Sequence, residues 1–511
     1  MTENHPATEN HPAENLPSDR KVAISVGLSL LVAAATLLPL LGHKPLADWD
    51  EAIYAEIAKE LLTRPSLALS WHFQPWFEKP PLYMWLTAAC FRLFAVNEFW
   101  ARAVAAFSGI ALTGLIHGLL ARVRGLAAAW ASTIILLTTL GFVRACHLGE
   151  VDTLLTLGCY LSLWGIARLR QDLTAGGEIK GWYLFWFGLA IAAMTKGAAA
   201  LVVPLTALVL MIWERWPRRC LNRRFLLGLL LFLALVIPWH AAMYREFGMP
   251  FFREYLGKQT LARATSQLEH HNNPPWFFVE VLLAFASPWI FVFSFAAWSA
   301  LRRRELREFT VFALVVFALY TASQTRLPRY VVPMYPAIAL VTADGIQRWI
   351  AAASTDSRQR LHRWWRAGAA AAASFALAAL LTRGLRERVT AESTTSGIVH
   401  EDRSFLPLLR SEAGLDLAEP ILLCQDNGWM QLPSALFYTG KRLQQVWLRQ
   451  EPDETGRAPR YFDAKPLAGF VGLQPRLLLI PKNLVAELPP DVDFRPLREA
   501  GDLEIGTVAR R

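Results

Sequence analysis

The stretch LADWDEAIYAEIAKELL, residues 46–62, places Asp48, Asp50 and Glu51 directly after an apolar run. A carboxylate held at a membrane–water boundary is partly desolvated. Burial raises its pKa toward neutrality and makes it a usable general base. Asp48-x-x-Glu51 also has capping-box spacing, and acids suit a helix N-terminus, so for these two residues a cap and a catalytic role are both open. A cap does not use Asp50, which makes it the first candidate base. More ionisable residues follow at the ends of later apolar runs: Glu78 and Lys79 in PWFEKPP, Glu150 and Asp152 in LGEVDTLL, and Lys196 in MTKGAAA. His270 and His271 in EHHNNPPWFF, with Arg326 and Arg329 in TRLPRY, complete the set. Charges at such depths are costly and usually line a cavity or pair with one another. Each has a plainer reading as well. Asp152 can cap the next helix, Glu78 and Lys79 can form a surface pair, Lys196 can snorkel, the histidines can be solvated, and Arg329 can anchor a helix end.

The elements that must position these residues are membrane helices. The chain has 511 residues, 54% hydrophobic and 18% charged, more apolar and less charged than a soluble protein of this length. Apolar stretches recur from Val22 to Leu381, long enough to cross roughly 30 Å of hydrocarbon, and many of the 20 tryptophans sit at their ends. A polytopic α-helical membrane protein of about 11–13 spans is expected. The spans fall near 22–42, 100–121, 126–146, 153–168, 181–194, 197–214, 224–242, 277–300, 309–323, 330–347 and 367–382. With the N-terminus inside, the internal loops (ARVRG, ERWPRRCLNRR, LRRRELRE among them) are all basic, as the positive-inside rule asks. The net charge of +10 therefore orients helices and does not imply nucleic-acid binding. PLYMWLTAACFRLFAV, residues 81–96, reads as a juxtamembrane or half-inserted helix, because counting it as a span would turn Arg122 and Arg124 outward. Ile53, Ile57 and Leu61 recur every four residues, which fits a second helix lying in the interface.

Residues 1–20, with their repeated ENHPA, are expected to form a disordered cytoplasmic tail, residues 21–390 the transmembrane domain, and residues 395–511 a small external α/β domain. The first span is expected to be uncleaved. The scattered cysteines (Cys90, Cys146, Cys159, Cys220 and Cys424) suggest neither a disulfide framework nor a zinc knuckle.

In order along the chain, DEAIYAEIAKELL, PWFEKPPLYMWLTA, LGEVDTLLTL, MTKGAAALVVPL, EHHNNPPWFFV and TRLPRYVVPMYP resemble elements of the lipid-A aminoarabinose transferases. With the protein O-mannosyltransferases, these belong to the integral-membrane GT-C glycosyltransferases that use polyprenyl-phosphate sugars. The resemblance covers about the first 340 residues. It implies transfer of a sugar from an undecaprenyl-type phosphate to lipid A, another glycan or a protein at the periplasmic face of the inner membrane, by direct displacement with inversion. It implies Asp50 as base, with Asp152 and Glu51 as further catalytic acids. Lys196, Arg326 and Lys79 would hold the donor phosphate, a task suited to a guanidinium fork and to the close backbone approach that Gly197 allows. Glu78 and His271 would be ligands of a divalent cation such as zinc, which the sequence gives no reason to make essential. A monomer and a mobile first external loop are expected. PP after FEK departs from the family's usual single proline, and the acceptor-contacting residues have no match.

Three rival readings exist. A ligase or polymerase moving a whole glycan would carry its large loop between late spans. A transporter would show inverted repeats and mid-span acids. A non-catalytic scaffold would leave the pattern of acids and bases unexplained.

Overall fold

The computed structural model describes residues 16–175, 180–217, 220–262, 273–303, 306–352, 419–424, 433–448, 465–500 and 503–511, with isolated positions between 366 and 386. The chain opens with a membrane helix, α1 (Asp19–Leu37), and then leaves the bundle for α2 (Asp50–Thr63), a hairpin of β1 (Ser70–Trp71) and β2 (Gln74–Pro75), and α3 (Leu82–Leu93). It returns through α4 (Glu98–Arg124), where the Asn97 side chain caps the Trp100 N–H at 3.0 Å and Gly125, at φ 82°, ends the helix. After α4 come α5 (Leu126–Thr138), α6 (Leu140–Cys146), α7 (Asp152–Ala175), α8 (Gly181–Lys196), α9 (Val202–Trp213) and α10 (Arg223–Phe247). The remaining bundle elements are α11 (Met249–Phe252), α12 (Phe277–Ala286), α13 (Trp289–Arg302), α14 (Arg307–Ala322) and α15 (Tyr335–Ala352).

This is a multi-pass membrane protein. Asp19–Leu37, Glu98–Arg124, Gly181–Trp213 and Arg223–Phe247 are each long and apolar enough to cross a bilayer. Two of the expected single spans are bent pairs: α5 meets α6 at 70°, and α12 meets α13 at 111°. The second bend sits at Ser287-Pro288, where proline has no N–H to give and pushes the residue before it to an extended ψ of 144°. In the stretch 181–213, Gly197 at φ 56° and a short 3₁₀ turn form a corner, so Lys196 ends one helix where the next begins. The expected span at 367–382 lies almost wholly outside the described residues. Inside the bundle, His117 is buried between the hydroxyls of Ser25 at 2.8 Å and Thr133 at 2.9 Å, tying α1, α4 and α5 together.

At 12 residues, α3 is about 18 Å long, too short to cross, and it packs on α2 and α4 as a juxtamembrane helix should. The interface placement expected for α2 is corrected. Ala52, Ile53, Tyr54, Ala55, Ile57 and Ala58 are all buried, and so are Glu51, Glu56 and Glu60. The missing cover comes from the C-terminal region, whose six described strands run in the order β5-β4-β3-β6-β8-β7. They are β3 (Ile421–Cys424), β4 (Leu443–Trp447), β5 (Lys465–Pro466), β6 (Arg476–Pro481), β7 (Val492–Ala500) and β8 (Leu503–Arg510). The first four are parallel and the last two antiparallel. The central strands ILLC and RLLLIP are apolar on both faces and need cover on both. On one face Ile421, Leu423, Leu477, Leu479 and Ile505 share a core with α2, α3 and the helix α16 (Pro433–Thr439). On the other face Leu422, Cys424, Leu478, Ile480 and Val508 form a separate core. The helix of the first loop, expected to be mobile, is thus enclosed between the bundle and the C-terminal sheet.

Candidate active site

The segments that carry the acids and bases converge at the end of the bundle beneath α2. Asp50 opens α2, Glu150 and Asp152 lie where α6 passes to α7, Lys196 ends α8, and Arg329 stands in the 3₁₀ turn Pro328–Met334 before α15. Arg329 bridges two acids, with Nη2 2.9 Å from Asp50 Oδ2 and Nη1 3.3 Å from Glu150 Oε1. Beside it, Lys196 Nζ donates to Asp152 Oδ1 at 2.5 Å and lies 5.2 Å from the centre of the Tyr330 ring. Asp50 and Asp152 differ in access: their side chains are 23% and 4% exposed. Asp152 Oδ2 is buried without a hydrogen-bond partner among the described residues, and so is the hydroxyl of Tyr54.

Burial pushes Glu150 up to about 7, helped by Asp50 and Asp152 and opposed by Arg329 and Lys196. Burial works against charge on Arg329, but Asp50 and Glu150 outweigh it and hold the guanidinium firmly protonated. Tyr54 is raised well above its ordinary value, first by burial and then by Asp50, so it stays a neutral phenol. The charge of Glu78 adds to that effect, which puts Glu78 within electrostatic reach of the site. Lys79, half-buried, follows it in the turn before α3.

Two expected roles do not fit their surroundings. Glu51 is 2% exposed and accepts four hydrogen bonds, from Arg102 Nε at 2.7 Å and Nη2 at 3.0 Å, Ala47 N at 2.6 Å and Gly149 N at 2.7 Å. A carboxylate so occupied is an anchor, and the catalytic role expected for it is corrected. The capping reading fails too, because the N-cap of α2 is Trp49 with no side-chain cap. Asp48 instead accepts from Ser434 N at 3.0 Å and Ser434 Oγ at 2.5 Å, reaching across to α16. Arg326, expected on the phosphate, donates to Asn273 O at 2.6 Å and to Thr321 O at 3.0 Å and 3.3 Å. Its fork staples loop to helix, and Arg329, three positions on, faces the acids. His270 and His271 lie outside the described residues, and among the described residues no group of three or more His, Cys, Asp or Glu is placed to hold a metal.

Arg102, Tyr54 and Tyr330 escaped the sequence reading. Arg102 was findable: a guanidinium inside the apolar run 100–121 must have a buried partner.

Residues 78–241 match the model of the dolichyl-phosphate-mannose-protein mannosyltransferases. An undecaprenyl phosphate-alpha-4-amino-4-deoxy-L-arabinose arabinosyl transferase of Shewanella sediminis is 26% identical over 335 residues, 64% of this chain and 60% of that protein. Its counterpart in Erwinia tasmaniensis is 28% identical over 327 residues, 62% of this chain and 58% of that protein. The chain thus spans about three-fifths of the length of these curated relatives. Among solved structures, ArnT from Cupriavidus metallidurans bound to undecaprenyl phosphate superposes with a TM-score of 0.72 at 19% identity, covering 96% of this chain and 98% of that one. The apo oligosaccharyltransferase of Archaeoglobus fulgidus gives 0.55 at 12% identity, covering 83% and 64%.

Proposed function

We propose that this chain, which has the GT-C fold and the expected resemblance to the undecaprenyl-phosphate aminoarabinose transferases, is a glycosyltransferase of the periplasmic face of the inner membrane. Its donor is a polyprenyl-phosphate sugar. The observation that carries this reading is the partly exposed Asp50, held by Arg329 beside a buried Asp152–Lys196 pair.

In this reaction the acceptor hydroxyl gives its proton to Asp50 as its oxygen bonds to the anomeric carbon. The bond from that carbon to the phosphate oxygen breaks, and the electron pair leaves with the polyprenyl phosphate. A phosphate is a good leaving group, so the site needs cations on its oxygens more than an acid. Lys196 and Lys79 serve there. Arg329 orients Asp50 from Oδ2, and a carboxylate has further lone pairs with which to accept a proton. Asp50 is preferred to Asp152 as base because the acceptor can reach it. Asp152, bonded through Oδ1, orients Lys196. A divalent cation held by Glu78 and His271 is part of the proposal only as an organiser of the first loop. The relatives' sugar, 4-amino-4-deoxy-L-arabinose, is the first donor to try, and lipid A the first acceptor.

The test is loss of sugar from an undecaprenyl-phosphate donor by the protein in lipid, wild type against Asp50→Asn. Removing the base should slow transfer about 1,000-fold. A wild type that leaves every donor intact, or an Asp50→Asn protein as fast as wild type, overturns the reading.

A further inference from the structure

The pair Glu51–Arg102 is a densely bonded buried ion pair beside the reacting side chains. Arg102, 4% exposed, places its five N–H groups on five acceptors: Glu51 Oε1 and Oε2, and the carbonyls of Leu41 at 2.8 Å, Lys44 at 2.8 Å and Pro45 at 2.9 Å. Glu51 in turn receives the Ala47 and Gly149 N–H groups. One buried ion pair therefore fixes the end of the α1 loop, the first turn of α2 and the loop before α7. Asp50 is the neighbour of Glu51, and Glu150 is the neighbour of Gly149, and these are the two acids that meet on Arg329.

The backbone just before Asp50 is strained. Trp49 has φ 70° and ψ −131°, a conformation that bulky residues avoid, and it directly precedes Asp50. Such a residue persists only where its surroundings over-determine it. Here Arg102 and Gly149 hold Glu51 on one side, and on the other Asp48 is bonded to Ser434 while Tyr438 Oη accepts from Leu46 N at 3.0 Å and donates to Glu98 at 2.8 Å. Gly149 fits closely, since a Cβ there would lie 3.1 Å from Ala101 O and 3.2 Å from Glu51 Cγ.

We infer that Glu51 and Arg102 are positioning residues, a latch that sets the Asp50 and Glu150 segments in register on Arg329, with the C-terminal domain as its backstop. The reaction it serves is the sugar transfer proposed above, but the latch itself is a claim about placement.

The test uses the full chain in lipid nanodiscs, as Arg102→Met, Glu51→Gln and Gly149→Ala, with two readouts. Hydrogen exchange reads placement: in each variant, residues 46–51 and 147–151 should lose protection together, while α16 and the middle of α2 keep theirs. Turnover at saturating donor reads the reaction. A displacement near 1 Å should cost about 100-fold in Arg102→Met and Glu51→Gln, with undecaprenyl phosphate binding within about twofold of wild type. Gly149→Ala keeps both charges and tests the same register without removing the ion pair, and a loss of about tenfold is expected there. The inference fails if the two segments exchange independently, if protection falls throughout the shared core, or if the loss lies wholly in donor binding. A wild type that transfers no sugar would sink the proposed reaction and leave the exchange result to judge the latch.

Discussion

At one end of the bundle Arg170 lies between Glu214, 2.8 Å from its Nη2, and Glu308, and Arg307 brings a second guanidinium to Glu214 at 2.7 Å. On the same side Asp344 holds both Arg124 and Arg348. Each of these three carboxylates meets at least one guanidinium. At the other end Asp50 and Glu150 meet on one arginine and Asp152 pairs with Lys196, and among the described residues Asp152 Oδ2 and the Tyr54 hydroxyl are buried without a hydrogen bond. Both ends bring distant segments together. Buried polar atoms without a hydrogen bond occur at both ends, Gln347 Oε1 among them, so the difference lies in the charges: in these ion pairs four guanidiniums meet three carboxylates at the first end and two cations meet three carboxylates at the second, which suits a polar guest there.

The comparison breaks first at Arg170. It is 18 positions along α7 from Asp152, about 27 Å by helical rise. Replacing it by Met leaves Glu308 buried and alone, which should cost about 3–5 kcal/mol of stability. Thermal unfolding in detergent should show that loss, while turnover per folded molecule stays at the wild-type level. Equal damage to turnover would mean that the two ends are coupled and not separate in purpose.

The unfinished end is sharpened by completing it. Undecaprenyl phosphate should raise the melting temperature of the wild type, since a ligand that binds only the folded state at 100 times its Kd adds about 2.7 kcal/mol. The double variant Asp152→Asn/Lys196→Gln keeps shape and removes both charges of the pair. It should fold, and its melting temperature should respond to the lipid phosphate far less. An undiminished response would move the phosphate away from Lys196.

One side of this contrast, the end that gathers Asp50, Asp152 and Lys196, is legible in the sequence. Long apolar runs and basic loops gave the helices, and ordered motifs placed Asp50, Asp152 and Lys196 at one end. The residues that slipped away did so for one reason: a charge's role depends on its partner, and partners lie far off in sequence. Glu51 and Asp50 are adjacent and chemically alike. Only the arrival of Arg102, 51 positions later, separates anchor from base. Arg326 and Arg329 are three positions apart, and Asn273 and Thr321 engage the first of them. Helix α2 read as an interface helix because its cover, the C-terminal sheet, comes more than 350 residues after it.

The smallest effect concerns Glu56, which that cover buries to 1% exposure with Lys59 Nζ 3.4 Å away. Burial pushes its carboxyl up to about 8, and Lys59 only partly offsets this. The folded chain therefore keeps a proton that the unfolded chain releases near 4.5. Stability must fall as pH rises through the window between those values and level off above it, since there the unfolded state binds fewer protons than the folded one. Glu56→Gln carries no such proton. Its melting temperature should match wild type near pH 5 (about the lower edge of the window), rise above it by a widening margin, and hold a constant lead beyond about pH 8. Other titrating groups are common to both proteins and cancel in the difference. Parallel melting curves across the window would mean that water or a neighbour reaches Glu56, and that the C-terminal sheet covers α2 less tightly than the shared core requires.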